Sequence, residues 1–394
     1  MTRTNRDDCF MNWALQLAAS RQGLVCPNPS VGAVMLAADG GGGGGSGKAS
    51  GGVWTAITAL GGRPHAETQV LAEAGKQAEG STLYVTLEPC CHHGQTPPCV
   101  DAIIAAGVAR VVVAMRDPDA RVKGKGIRAL RQAGLRVDEG VLQEQAEGLY
   151  RGYCQRIRDK RPWVTVKMAL SRDGKLARVR GKPTTLSCRA ALDYSHWLRL
   201  HHDGILVGID TVLSDDPMLT CRLAGVADGL RHRLVRIVID SAGRMPLQAR
   251  MLRVCADCPL WLVTGSGRDE NRTEALGALA EQGCDMITLE GDKPFAVPMI
   301  LEALAERGLT RLLVEGGAVT VGHFMASGCV DELIVIRSPQ VLGEGGYDGF
   351  CRGEEKTLQD YRLSVPIYKK GQDCIETYRP LKDTVKDTVA DKGH

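Results

Sequence analysis

The spacing of apolar and polar positions changes period repeatedly along the chain. Residues 8–20 place Met11, Leu15 and Ala18 at helical spacing, and Gly23 ends the run. Residues 31–37 form a short, nearly unbroken apolar run, the pattern of a buried strand. The glycines Gly40 to Gly45 follow, and a run that cannot pack predicts a mobile loop. Its match to G-x-G-x-x-G (Gly42, Gly44, Gly47) is automatic in polyglycine. No helical pattern follows it, so it carries no dinucleotide reading. Beyond the loop a short helix is expected from Pro64. Strands are expected at 82–87, 110–115 and 136–141, with helices at 98–106 and 126–133. Such alternation predicts an α/β layer sandwich with a largely parallel sheet. A second series has strands at 163–169, 204–207, 236–240, 260–264, 311–314 and 333–337, with helices including 189–200 and 298–307. The pattern divides the chain into domains at 1–147 and 163–380. Residues 148–162 read as a charged connecting helix and linker, and 381–394 as a flexible tail.

Composition narrows the class. A chain of 394 residues is long for one core, and 44% hydrophobic with 24% charged residues describes globular domains. With 49 basic and 46 acidic residues, a broad nucleic-acid footprint is not expected, although a local phosphate pocket is compatible. Asp7 and Asp8 interrupt the basic N-terminus and no long apolar stretch follows, so neither a signal peptide nor a membrane span is expected. The 14 cysteines form no compact framework, which suits reduced thiols in a cytoplasmic enzyme. Cys255 and Cys258 form a lone C-x-x-C without two further ligands, read as structural. His201 and His202 close a helix and need no metal there.

The first chemistry lies in Pro64-His65-Ala66-Glu67, Glu88-Pro89-Cys90 and Cys99. His65 and Glu67 are two residues apart and diverge by about 200° on an ideal helix. They can share a site only at a helix start. One imidazole and two thiolates leave a fourth tetrahedral position open on zinc, which lowers the pKa of water bound there toward neutrality. Glu67 stands where a carboxylate can carry a proton from that water to a ring nitrogen and a departing amine. Core cysteines and a capping histidine would account for any one of these residues, not for the set. The His-x-Glu and Pro-Cys pattern is the signature of zinc-dependent nucleobase deaminases.

Eight residues separate Cys90 from Cys99, where nucleic-acid deaminases place two. The segment from Glu88 through Cys90, Cys91, His92 and His93 to Pro97-Pro98-Cys99 resembles the deaminase half of the bifunctional riboflavin-biosynthesis deaminase–reductases. Asn28-Pro29 with Val31-Gly32, and Met115-Arg116-Asp117-Pro118, resemble it too. In the second half, Val166-Lys167-Met168-Ala169, Gly208 to Pro217, Val238 to Ser241 and Val314-Glu315-Gly316-Gly317 resemble that family's reductase. A Gly-Gly at a strand-to-helix turn lets backbone N–H groups approach a phosphate.

The resemblance spans about residues 8–379. It implies a cytidine-deaminase-like three-layer α/β/α domain followed by a dihydrofolate-reductase-like α/β domain. Zinc would be held by His65, Cys90 and Cys99, with Glu67 catalytic and Asn28 and His92 reaching the first substrate. NADPH would meet Ala169, Thr185, Thr211, Asp215, Ser241 and the turn Gly317, Ala318, Val319, Thr320, Val321, Gly322 and His323. The phosphorylated pyrimidine riboside would meet Arg199, Leu219, Arg222 and Glu315. Hydride delivery would open the ribosyl group to ribityl, with Lys167 as a candidate acid. A symmetric homo-oligomer is expected, without nucleic acid or membrane as partner.

Two departures stand out. Thr58 occupies the place of the family's Gly-x-Gly-x-His segment, and Pro183-Thr184-Thr185-Leu186-Ser187 lacks the tryptophan of many bacterial members. The first, together with the glycine run Gly40–Gly45 just upstream, raises a second reading, a reductase with an impaired deaminase domain. An editing deaminase acting on nucleic acid is a third, disfavoured by the cysteine spacing and the balanced charge.

Overall fold

A computed structural model describes residues 3–38, 52–94, 96–182, 184–231, 233–266, 270–291, 294–350 and 359–381. The glycine run Gly40–Gly45, Pro183 and the tail beyond Leu381 lie outside the described residues. The chain divides into two compact units, 1–159 and 160–394.

In the first unit five strands, β1 (Gly32–Leu36), β2 (Val53–Ile57), β3 (Thr82–Val85), β4 (Arg110–Val113) and β5 (Arg136–Glu139), form one sheet in the order β2-β1-β3-β4-β5. The helices are α1 (Arg3–Ala19), α2 (Ala66–Ala74), α3 (Cys99–Ala105), α4 (Lys125–Gln132) and α5 (Gln143–Asp159). Every residue of β1 is buried, as its unbroken apolar run requires. Met11, Ala14, Leu15 and Ala18 of α1 are buried on it. Helix and strand approach so closely that a Cβ on Gly32 would lie 2.0 Å from the Ala14 carbonyl oxygen.

Three expectations change. The sheet is parallel only across β3, β4 and β5, because β1 pairs antiparallel with both β2 and β3. Strand β2 was not expected, since its residues grade from exposed to buried without a clear alternation. The residues read as a linker continue α5 to Asp159, and Tyr150, Tyr153 and Cys154 belong to the first core. Charge on the exposed face of α5 hid its apolar stripe from a reading of composition.

Among the described residues the second unit has eleven strands. They are β6 (Trp163–Leu170), β7 (Lys175–Ala177), β8 (Gly204–Gly208), β9 (Val235–Ile239), β10 (Leu260–Gly265), β11 (Cys284–Leu289), β12 (Arg311–Val314), β13 (Glu332–Arg337), β14 (Tyr347–Asp348), β15 (Tyr361–Lys370) and β16 (Asp373–Pro380). Its helices are α6 (Arg189–Leu200), α7 (Ile209–Asp215), α8 (Asp228–Arg231), α9 (Glu270–Glu281), α10 (Val297–Glu306) and α11 (Ala318–Ala326). Nine strands join in the order β11-β10-β9-β8-β12-β6-β13-β16-β15. Pairing is parallel from β11 to β13 and antiparallel in the β16–β15 edge. The carboxyl ends of β6, β8, β9 and β12 therefore lie along one edge, where an open α/β sheet forms its crevice. Buried carboxylates fix the opposite ends. Asp203 accepts from the backbone N–H groups of Thr310 and Arg311 and from the Thr310 hydroxyl, and Asp331 pairs with Arg161 and caps Val164.

Candidate active sites

The first site grows from two helix starts. His65 is the N-cap of α2 in extended conformation, and Glu67 follows in the first turn, so both face one cavity despite their spacing. Pro64 was expected inside the first turn and instead precedes the cap. Cys99 opens α3, with Pro98 as its N-cap, and Cys90 follows β3. His65 Nδ1 lies 3.3 Å from Cys99 Sγ and 3.8 Å from Cys90 Sγ, and the three donor atoms fall within 4.8 Å of one another.

The electrostatics suit a proton-handling metal site. A hydrogen bond from Cys99 and the nearby imidazole hold the Cys90 thiol down to about 4, against burial. The hydrogen bond to Cys90 and burial push the Cys99 thiol up. Burial raises the Glu67 carboxyl, and its Oε2 has no hydrogen-bond partner. One imidazole, two sulfurs and an orphaned buried carboxylate oxygen beside them fit zinc with an open position.

The cavity around this cluster has a volume of about 320 Å³. Asn28 lines it and donates to the Gly62 carbonyl at 2.7 Å. His92 lines it with a buried Nδ1 that lacks a partner. Thr58, the departure from the family pattern, is buried. Its hydroxyl accepts from the Val31 N–H at 2.9 Å and so ties β2 to the segment that carries Asn28.

The sequence reading missed Glu88 and Asp117 as parts of this site. Glu88 is buried and accepts four backbone N–H bonds, from Asp117 and Gly124 on Oε2 and from Gly126 and Ile127 on Oε1. It thereby pins the wall that carries Asp117 and Asp119 to the strand end that carries Cys90. Asp117 accepts from the Tyr153 hydroxyl at 3.0 Å and from the Asp119 N–H, and burial raises its carboxyl to about 6. Position directly before Pro89-Cys90 was the only signal for Glu88.

In the second unit the turn after β12 meets the turn after β8. A Cβ on Gly208 would lie 2.5 Å from Thr320 Oγ1, and one on Gly316 would lie 2.5 Å from Thr320 Cβ. A Cβ on Gly317, the N-cap of α11, would lie 3.9 Å from Thr211 Oγ1. Glycine at 208 and 316 leaves room for the Thr320 side chain between the two turns, and this cradle, a glycine-rich turn at a helix start, fits the phosphates of a dinucleotide. Along α11, Ala318, Val321 and Gly322 are buried, whereas Val319 and His323 are exposed. Ala169, next to last in β6, is half-buried, and Ser241 sits in the turn after β9. Asp215 and Thr185 are exposed, and no described hydrogen bond draws either to Thr211 or Thr320.

Beside the cradle, Glu315 directly follows β12 and sits in a charged trio. Arg199 grips it with two bonds of 3.0 and 2.9 Å, and Lys167 Nζ donates at 3.1 Å. Burial would raise the Glu315 carboxyl, but Arg199 and Lys167 together hold it well below the carboxylate range. Leu219 is buried in a left-handed conformation at φ 54°. The Arg222 backbone donates to His196 Nδ1, and its guanidinium is lowered by burial and by Arg199 and Arg250 nearby. A corner with three arginines and one committed carboxylate suits a phosphorylated ligand.

Comparison with known proteins agrees with this division. Residues 4–115 match the cytidine and deoxycytidylate deaminase zinc-binding region, and residues 162–365 match the RibD C-terminal domain. The chain is 39% identical over 344 residues to riboflavin biosynthesis protein RibD of Aquifex aeolicus, covering 86% of this chain and 88% of that protein. It is 34% identical over 354 residues to the Escherichia coli protein of the same name, covering 88% and 91%. The solved structure of Acinetobacter baumannii RibD superposes with a TM-score of 0.83 at 30% identity, over 96% of this chain and 99% of that one. A Thermotoga maritima protein described as a diaminohydroxyphosphoribosylaminopyrimidine deaminase and 5-amino-6-(5-phosphoribosylamino)uracil reductase gives 0.77 at 29%, over 96% and 99%. The chain belongs to the RibD family, the bifunctional enzymes of riboflavin biosynthesis that join a zinc-dependent deaminase to an NADPH-dependent reductase.

Proposed function

We propose that the first unit deaminates 2,5-diamino-6-(5-phosphoribosylamino)pyrimidin-4-one and the second reduces the product to 5-amino-6-(5-phosphoribitylamino)uracil. The observation that carries the first step is the cluster of His65, Cys90 and Cys99 beside the unpartnered Oε2 of Glu67. His65, Cys90 and Cys99 would hold zinc, which supplies the Lewis acidity that makes water nucleophilic near neutral pH. Glu67 accepts a proton as water adds to the ring carbon that bears the amine. It returns that proton toward the leaving nitrogen as the C–N bond breaks and ammonia departs. Asn28 and His92 orient the ring.

In the second unit, Thr211, Ser241 and the turn Gly317–His323 would hold NADPH, with Ala169, Thr185 and Asp215 around it. NADPH supplies the hydride for the anomeric carbon. Lys167, held by Glu315, donates the proton that the ring oxygen needs as the C–O bond opens. Arg199, Leu219, Arg222 and Glu315 position the phosphorylated sugar.

Thr58 gives the alternative of an impaired deaminase no support, because its hydroxyl holds the cavity wall from within. We further propose that the enzyme works in the cytoplasm as a symmetric homo-oligomer, without nucleic acid or membrane partners. None of the described cysteines is in a disulfide, and no described helix is long and apolar enough to cross a membrane. The edge strand β15 exposes Leu363, Ile367 and Tyr368, which a second copy would cover. The test is a coupled assay on purified protein with its metal content measured. About one zinc per chain, ammonia release, and NADPH oxidation only after deamination are expected. Protein with no zinc and neither activity would overturn the assignment.

A further inference from the structure

We propose that Arg63 reads the phosphate ester of the deaminase substrate at the rim of the zinc-site cavity, an assignment that rests on the deamination proposed above. The cavity is lined by four carboxylates, Glu67, Glu88, Asp117 and Asp119. A phosphate monoester carries up to two negative charges near neutral pH. It needs a cation whose charge is not already spent.

Two guanidinium groups line the cavity, Arg63 and Arg121. Arg121 is committed. Its Nε and Nη2 lie 3.0 and 2.6 Å from Asp119 Oδ2, and its backbone N–H also binds that carboxylate. Arg63 differs. Its Nη1 donates to the Thr96 hydroxyl at 2.6 Å, and it pairs with no carboxylate among the described residues. A Cβ on Gly94 would lie 3.5 Å from its Nη2, so the guanidinium lies against the loop between Cys90 and Cys99.

Arg63 therefore spans the two segments that supply the ligand set. Its backbone lies two residues before His65, and its head is anchored on the loop that leads to Cys99. The anchor is neutral, so it orients the planar fork without consuming the charge. The remaining N–H donors can make paired bonds to phosphate oxygens. His93, Gly94 and Thr96 around it are exposed, which leaves the rim accessible to an extended substituent on the ring.

The test uses the full-length zinc-loaded enzyme and two substrates, the ribosyl phosphate and its dephosphorylated counterpart. Ammonia release is expected to favour the phosphorylated compound by about 10- to 100-fold in kcat/KM, the span of one or two charge-assisted hydrogen bonds. In Arg63→Gln that ratio should fall toward one, through KM for the phosphorylated substrate, and Arg63→Lys should recover part of it. Zinc content and NADPH oxidation from the deaminated substrate, measured on the same samples, establish that each variant is folded. An unchanged ratio in Arg63→Gln, or a collapse in Arg121→Gln alone, overturns the assignment while leaving the deaminase reading intact. Ammonia from neither substrate in the unaltered enzyme counts against the deaminase reading itself. Calorimetric titration with inorganic phosphate then decides the Arg63 assignment without turnover. With any phosphate bound by the second unit common to both proteins, the unaltered enzyme should bind one more weak phosphate per chain than Arg63→Gln, and equal stoichiometry in the two proteins would overturn it.

Discussion

Glu88 takes two backbone N–H groups on each carboxylate oxygen. That pattern has a sharp consequence at the scale of a single residue. In Glu88→Gln, either orientation of the amide turns an NH2 group toward two N–H donors. Two bonds are lost and donors face donors in a buried place. The wall carrying Asp117 must then move. A loss on the order of 10²-fold in deaminase kcat/KM is expected, with NADPH oxidation by the second unit unchanged. Equal deamination by Glu88→Gln and the parent would show that the clamp is dispensable. Thr58 makes a smaller case. Thr58→Val removes the acceptor of the buried Val31 N–H and should lower the stability of the first unit by about 1–3 kcal/mol in denaturant unfolding. At this scale the sequence was legible where chemistry dictates residue type. Histidine and cysteine at those spacings have few structural uses, so the metal ligands stood out. Glu88 and Asp117 did not, because Glu88 binds backbone groups about thirty to forty residues away and Asp117 binds the hydroxyl of Tyr153 on α5, which no local period reports.

Elements were legible where one face is apolar or the whole run is buried. The strands β6, β8, β10 and β12 and the helix α6 fall close to their expected places, since continuous aliphatic runs and a 3.6 period leave little choice. Elements with mixed exposure were missed. Strand β11 alternates with polar residues, and β15 and β16 form a half-exposed antiparallel edge. The end of α6 shows an energetic consequence of burial that sequence could not foretell. His202 is buried, its Nδ1 bonds the Leu198 carbonyl at 2.6 Å, and its Nε2 has no partner. Burial pulls its pKa down to about 3 from 6.5. The folded state therefore binds this proton less readily than the unfolded chain. The stability it contributes is complete above pH 6.5 and is lost as pH falls toward 3. Between pH 7 and pH 5 the second unit should lose about 2 kcal/mol through this group. Denaturant unfolding of His202→Gln at both pH values should show a smaller acid loss by that amount, and an identical pH dependence would contradict the assignment.

For the whole molecule, two alternating series predicted two α/β units, and the boundary depended on α5. Its exposed face reads as linker composition, whereas Tyr150 and Tyr153 bind it to the first core. On the proposed assignment each unit carries the groups for its own step. Zinc ligands and Glu67 lie in the first, and the cradle and the Arg199–Glu315–Lys167 trio lie in the second. Chelation of zinc is accordingly expected to stop ammonia release and leave reduction of the already deaminated substrate running. A proportional loss of both rates would mean that the metal supports the second unit as well.

The central claim is that deamination and reduction occur at separate sites, with Glu67 handling the proton of the first. The most direct measurement is the coupled assay of Glu67→Ala with zinc determined on the same protein. The account predicts zinc retained, ammonia release reduced by about 10²- to 10⁴-fold, and NADPH oxidation unchanged when deaminated substrate is supplied. Loss of both activities in zinc-loaded Glu67→Ala, or deamination at the parent rate, would contradict it.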